Sequence, residues 1–167
     1  GFGMNNFAPL FSSGKDDWQT PPLLFTQLHQ EFDFTIDGAA SEGNHLLPRW
    51  YGPGSTITED ALTVDWHNER LFINPPYSQV AAFVEKASNE KHHAFCALLI
   101  PARTDTRYWH RWIYDETQHT WRLGVHGRFL KGRLKFIDPN RALIQNGHSN
   151  SAPFPSVVIL FGVYHEE

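Results

Sequence analysis

The stretch "AFCALLI", residues 94–100, is apolar at every position, and that restricts the fold more than any other feature of the chain. A surface strand alternates apolar and polar residues, whereas a continuous apolar run of this length, followed at once by proline, reads as a strand buried on both faces. Such strands occur where helices cover both sides of a largely parallel sheet. Two other segments read as strands: "RLFI" at 70–73, an apolar strand after Arg70, and "SVVILFGVYH" from 156. Between them lie segments of helical period. "TPPLLFTQLHQEF" places Phe25, Leu28 and Phe32 on one face, with Thr20 as the expected cap and Pro21 in the first turn. "SQVAAFVEKASNE" aligns Val80, Phe83, Val84 and Ala87, with Ser78 as its expected cap. "TDTRYWHRWIYDE" aligns Tyr108, Trp109, Trp112 and Ile113, with Thr104 as a candidate cap. Short strands are expected at "FDFTID", ending on Asp37, and at "STIT". After Trp121 the pattern changes to strands, with "WRLGV", "GRFLKGRLKFID" and "SVVILFGVYH" separated by a loop at 146–155. The order implies an α/β fold, mostly parallel, with antiparallel strands at its end.

One domain suffices for 167 residues. Gly1-Phe2-Gly3, ahead of Met4, reads as an appended scar and takes no part in the fold reasoning. No apolar run reaches the roughly 18 residues that a membrane-spanning helix requires. The single cysteine, Cys96, falls in the most apolar strand, so a buried structural thiol and an intracellular location are expected. Ten histidines raise the question of a metal, but no CxxC or HExxH spacing is present, and His92-His93 reads as a solvated loop; no metal is expected. The net charge of −4 is unevenly spread. Residues 101–136 hold eight Lys/Arg against three acids, +5, which leaves −9 for the remainder. That segregation suits one phosphate-facing side, or a basic solvated face.

In open sheets of this kind ligands collect at the carboxyl ends of the strands. Asp37, Asn74 and the Pro101-Ala102-Arg103 run all fall at such ends. Asn74-Pro75-Pro76-Tyr77 is the most informative of these. The Asn74 side-chain oxygen and the Pro75 carbonyl are two acceptors on a backbone that proline stiffens, and they match the two hydrogens of a planar NH2 group. Tyr77 adds a flat face for an aromatic ring. An exocyclic amine of adenine or cytosine satisfies the set, as does the amide of glutamine; a plain Asn-Pro-Pro turn is the alternative.

Asn-Pro-Pro-Tyr after an apolar strand is the catalytic motif of S-adenosylmethionine-dependent amino methyltransferases. The chain resembles the phage-type DNA N6-adenine methyltransferase family through seven stretches in order: "DDWQTPPLLF", "IDGAAS", "EDALTVDW", "FINPPYS", "LLIPARTDTRYW", "KGRLKF" and "SAPFPSVVILF". The resemblance implies a Rossmann-like class I methyltransferase sheet with helices on both faces. Residues 4–167 would form one compact domain without a separate target-recognition domain. It implies Asn74, Pro75, Pro76 and Tyr77 as the catalytic set. S-adenosylmethionine would be bound by Trp18, Thr20 and Pro21, by Asp37, Ala39 and Ala40, and by Asp60, Ala61, Leu62 and Asn74. Asn44 and Tyr51 are candidates beside the ribose. "DGAAS" departs from the glycine-rich loop of larger methyltransferases. Asp65-Trp66 is expected to pack beneath the motif strand rather than to support it chemically. DNA is expected to meet Ser78, Arg103, Thr104, Arg107 and an alternating face of Lys131, Arg133 and Lys135. The implied partner is double-stranded DNA in the cytoplasm of a bacterial host, with recognition by loops, by a dimer of the chain, or with little sequence read at all. RNA adenine or protein glutamine as acceptor, or a non-catalytic nucleic-acid-binding relic, are the competing expectations.

Overall fold

The computed structural model describes residues 19–136 and 150–164. Helix α1 (Pro22–Phe32) leads through a left-handed Asp33 into strand β1 (Ile36–Asp37). A 3-10 turn (Ala61–Thr63) precedes β2 (Arg70–Ile73), and a second (Tyr77–Gln79) runs into helix α2 (Val80–Glu90). Strand β3 (Phe95–Pro101) follows, then a five-residue π-helix (Trp109–Ile113). The remaining strands are β4 (Tyr114–Asp115), β5 (Thr120–Trp121), β6 (Val125–Phe129), β7 (Lys135–Phe136), β8 (Asn150–Ser151) and β9 (Ser156–Phe161).

The central sheet has the order β1-β2-β3-β9-β6. β1, β2 and β3 pair in parallel, and β9 is antiparallel to both β3 and β6. Four of the five strands therefore point one way, with β9 reversed among them. Alternation along the strands divides the core into two layers. Leu71, Ile73, Cys96, Leu98, Ile100 and Ile159 face the layer that α2 covers with Val80, Phe83, Val84 and Ala87. Phe72, Phe95, Ala97, Leu99, Val158 and Leu160 face the layer that α1 covers with Phe25 and Leu28. Helices thus cover both faces, which is why the strands need no polar alternation. Cys96 is buried within this core, its thiol pushed well up by desolvation.

Several expectations are corrected. Residues 55–58, "STIT", form bends and no strand; the Ser55 hydroxyl turns back to the Trp50 carbonyl at 2.7 Å, and competition of this kind favours turns. Thr20 does not cap α1, because Pro21 occupies the N-cap and Pro22 the first helical position. Ser78 does not cap α2, since the Tyr77–Gln79 turn intervenes and Gln79 takes that place. The helix expected from Thr104 shrinks to a short π-helical segment, although Trp109 and Ile113 are buried as their spacing implied. Thr106, not Thr104, closes the turn before it, with its hydroxyl donating to the Arg103 carbonyl at 2.8 Å. Trp66 does pack: it is fully buried, and its indole Nε1 donates to the Ala61 carbonyl at 3.0 Å.

Candidate active site

Because β1, β2 and β3 are parallel, Asp37, Asn74 and Pro101 emerge from one edge of the sheet. At the β1 end the loop is fixed by its own backbone. Asp37 N donates to the Arg49 carbonyl, Tyr51 N to the Asp37 carbonyl and Ala40 N to the Tyr51 carbonyl, at 3.1, 2.9 and 2.9 Å. Residues 49–51 thereby extend the sheet beyond β1. Two glycines allow the close approach. A Cβ on Gly38 would lie 2.6 Å from Ile73 Cγ1, and one on Gly52 (φ +145°) would lie 1.7 Å from the Ala40 carbonyl oxygen.

The Asp37 side chain is 4 % exposed. Its two oxygens each accept one backbone amide, Ala39 N at 3.3 Å and Leu46 N at 3.0 Å. Burial pushes its carboxyl above the ordinary aspartate range, while the Leu46 and Ala39 amides and the nearby His45 pull the other way. An ionised carboxylate has about four lone-pair sites, and the two amides use two of them. Asn44 is exposed and exchanges backbone hydrogen bonds with Ser41 at 3.1 and 3.2 Å. Tyr51, only 3 % exposed, is a core residue.

At the β2 end, Asn74 Nδ2 donates to Thr20 Oγ1 at 2.9 Å. This bond explains why Thr20 is not a cap: its hydroxyl, 7 % exposed, is turned toward the Asn74 amide. It also links the segment before α1 to the turn after β2 and orients that amide. Pro75 is buried, Asn74 half-buried, and Pro76 extended (φ −56°, ψ 143°), which carries the chain from the strand into the Tyr77 turn. The Tyr77 ring meets Phe154 edge-on, with centroids 5.1 Å apart and planes at 77°. Phe154 in turn lies under the Arg103 guanidinium at 5.9 Å. Phe154 therefore joins the ends of β2 and β3, a role for which its only signal in the sequence is an aromatic between two prolines before a buried strand.

Lys131, Arg133 and Lys135 do not alternate along one strand. Lys131 lies in a bend, Arg133 in a loop and Lys135 in β7. The segment nevertheless runs beside the Phe154 loop: Leu130 N donates to the Ser156 carbonyl, Ala152 N to the Leu134 carbonyl, and β7 pairs with β8. Leu130 and Leu134 pack inward on the cluster that holds Phe154, and the three cations are exposed outside it. Ser78, Arg103, Thr104 and Arg107 are exposed as well. Arg128 leaves the basic set, since Glu31 on α1 takes it in a bidentate pair at 2.8 and 2.6 Å.

Asp60 is exposed, and its Oδ1 accepts Leu62 N at 2.9 Å at the head of the 3-10 turn. Ala61 and Leu62 pack on the α2 layer. Ala61, Leu62 and Ala39 pack on the same cluster as Ile73, the residue before Asn74. Trp18 lies outside the described residues.

A family model described as DNA N-6-adenine-methyltransferase (Dam) matches residues 9–167. The chain belongs to this family. It is 30% identical over 148 residues to a DNA N-6-adenine-methyltransferase of Escherichia phage T1, a match covering 83% of this chain and 60% of the relative. A second relative, the DNA N-6-adenine-methyltransferase of Haemophilus phage HP1, is 30% identical over 100 residues, covering 58% and 56%. The chain spans less than two thirds of the length of either relative. Among the described residues no helix is long and apolar enough to cross a membrane.

Proposed function

We propose that the chain is a DNA adenine-N6 methyltransferase on a Rossmann-like class I scaffold, with S-adenosylmethionine as methyl donor and no metal in the chemistry. The single observation that carries the reading is the Asn74–Thr20 hydrogen bond at the carboxyl end of β2. With Nδ2 donating to Thr20, the Asn74 amide is held in one orientation, and Oδ1 is assigned as the acceptor for a substrate amino group. The family supports the choice of acceptor, adenine in DNA, and the four same-sense strands with one reversed are compatible with the scaffold.

S-adenosylmethionine supplies a methyl group made electrophilic by its sulfonium. The donor set fits that molecule. Asp37 has carboxylate lone pairs for an ammonium, and Ala39 and Ala40 line a loop with little side-chain bulk. Thr20 and Pro21, Asn44, and Asp60 with Ala61 and Leu62 are assigned to the rest of the cofactor, together with Trp18. The adenine amino nitrogen is a poor nucleophile because its lone pair is delocalised into the ring. Asn74 Oδ1 and the Pro75 carbonyl accept its two hydrogens, localise that lone pair and stabilise the positive charge that develops on nitrogen. When bound, S-adenosylmethionine would supply the methyl carbon to nitrogen and keep the carbon–sulfur electron pair as its thioether leaves, and one amino proton would pass to solvent. Positioning of donor and acceptor can supply roughly 7–11 kcal/mol of the barrier lowering.

In a duplex the base must leave its stack at a cost of a few kcal/mol. Stacking on Tyr77, itself braced by Phe154, returns about 1–3 kcal/mol. Arg103 and Arg107, Ser78 and Thr104, and Lys131, Arg133 and Lys135 grip the backbone around the extruded base. The test offers labelled S-adenosylmethionine with unmethylated duplex DNA, RNA or bulk protein, and the product is digested and identified. Label in N6-methyladenine from DNA is expected. Label in RNA adenine or glutamine moves the acceptor, and cofactor binding without transfer to any substrate overturns the enzymatic reading.

A further inference from the structure

The edge of the sheet opposite Asn74 carries a second cluster of reactive side chains. β2 begins at Arg70 and β3 at Phe95, which are paired in parallel register, so residues 65–69 and 93–94 lie at the amino ends of the strands. The four residues of β2, at about 3.3 Å each, separate them from the Asn74 edge by roughly 13 Å. Asp65, His67 and His93 each direct one ligand-type atom into a region where all three lie within 4.8 Å of one another. We propose that Asp65, His67 and His93, with Glu90 beside them, form a binding site for a divalent transition metal, best suited to Zn2+, that clips the loop before β2 to the turn before β3.

The local backbone sets this geometry. Asp65 Oδ1 accepts the His67 amide at 2.6 Å, which turns the 65–67 loop back on itself. Asn68, held at a left-handed φ of 63°, donates its amide to the His93 carbonyl at 2.8 Å and fixes one loop against the other. His93 Nε2 then sits 3.4 Å from Asp65 Oδ1 and 3.0 Å from Glu90 Oε1. Tetrahedral zinc with bonds of about 2.0–2.1 Å places neighbouring ligand atoms about 3.4 Å apart, so Asp65 and His93 already stand at that separation and His67 lies within 4.8 Å of both. The His67 and His93 rings are tilted at 50° with centroids 5.2 Å apart, which lets both face one ion without stacking. Two imidazoles and a carboxylate are a donor set that zinc prefers. Glu90 Oε1 also accepts the Trp66 amide at 2.7 Å, so it is held in place as a fourth ligand or as a brace for His93. Asp65 and His67 are exposed and His93 half-buried, so an ion has an open path from solvent.

The role is structural, because nothing in the cluster borders the methyl-transfer edge, and the proposal is independent of which substrate that edge serves. None of the common metal motifs reveals the site, since the Asp65/His67 pair and the Glu90/His93 pair lie at least 23 residues apart in the chain. The experiment uses the full chain after chelation and dialysis, titrated with Zn2+ by calorimetry and with Co2+ by visible absorption. The expected result is one ion per chain, tetrahedral Co2+ bands, and a melting temperature raised by roughly 5–10 °C at saturating Zn2+. His67→Asn, at an exposed position, should keep the fold and melting temperature of the chelated protein. It should lose more than the 10–100-fold in affinity that follows removal of an outer-shell partner. His93→Asn should behave likewise, and His119→Asn, an exposed control outside the cluster, should bind as the parent does. Absence of binding, a stoichiometry other than one, or Zn2+ affinity unchanged in both His67→Asn and His93→Asn would overturn the proposal. The cluster would then be a hydrogen-bonded network only.

Discussion

Thr20→Val is the most informative single change, because it removes one atom's function with almost no change in volume. In the parent, Thr20 Oγ1 accepts Asn74 Nδ2 at 2.9 Å in a site where Thr20 is 7 % exposed. A neutral hydrogen bond contributes about 0.5–1.5 kcal/mol, and leaving a largely buried donor unsatisfied costs about 1–3 kcal/mol. Asn74 is half-buried, so water recovers part of that penalty, and a loss of about 1–2 kcal/mol in orienting the amide is expected. If that loss falls on the transition state, kcat drops roughly 5- to 30-fold. Thr20→Ser, which keeps the hydroxyl, should restore most of the rate. The assay is steady-state methyl transfer to duplex DNA with the S-adenosylmethionine dissociation constant measured on the same preparations. A residue serving only the cofactor would raise that constant and leave kcat at saturation unchanged. A parental kcat in Thr20→Val would refute the claim that this bond aligns Asn74.

Three further predictions rest on other parts of the site. Gly38→Ala should destabilise the fold by about 1–3 kcal/mol in urea titrations, since the new methyl meets Ile73 at 2.6 Å and cannot move without disturbing the β2 end; an unchanged midpoint contradicts the packing. Asp37 and Glu69 should give opposite pH dependences. The Asp37 pKa is raised in the fold by burial, so its contribution to stability is complete below its unfolded-state pKa and is lost as pH rises through the folded value. The Glu69 pKa is lowered in the fold by hydrogen bonds from Arg49 and Thr35, so its contribution is present above the unfolded-state pKa and is lost as pH falls. Denaturation midpoints of the parent against Asp37→Asn and Glu69→Gln through the acid range check both signs, and a common sign would refute the assignment. Arg103→Ala should weaken DNA binding at all sequences alike and reduce the slope of log K against log salt by about 0.9; an unchanged slope would remove Arg103 from the phosphate-contacting set.

Much of this architecture is legible in the sequence, for reasons that also explain the rest. β2, β3 and β9 are buried on both faces, so every residue reports the same environment, and the α2 stripe of Val80, Phe83, Val84 and Ala87 follows from helical spacing alone. β1 is harder to delimit: of the four residues between the left-handed Asp33 and Gly38 only Ile36 and Asp37 form the strand, and its outer partner at 49–51 comes from a loop. Thr20 has the residue type and position of a cap, yet Pro21 and Pro22 displace it, and its true partner lies 54 residues away. Phe154 is invisible as a site residue because its meaning comes from two neighbours, Tyr77 and Arg103, brought from different strands. The basic residues at 131–135 have the period of a strand, but Gly132, at φ +71°, breaks the regular backbone between them. Local pattern reports burial and period; it does not report which polar atoms from distant segments meet.

The central claim is that Asn74 acts on the reacting amino group from the end of β2. Its most direct test is the single-turnover rate of N6-methyladenine formation in duplex DNA by Asn74→Ala, with S-adenosylmethionine binding and the melting curve measured on the same protein. Loss of one such transition-state contact costs about 10²–10³ in rate. The account predicts a fall of at least that size with the protein folded and the cofactor still bound. A rate within a few-fold of the parent would contradict it.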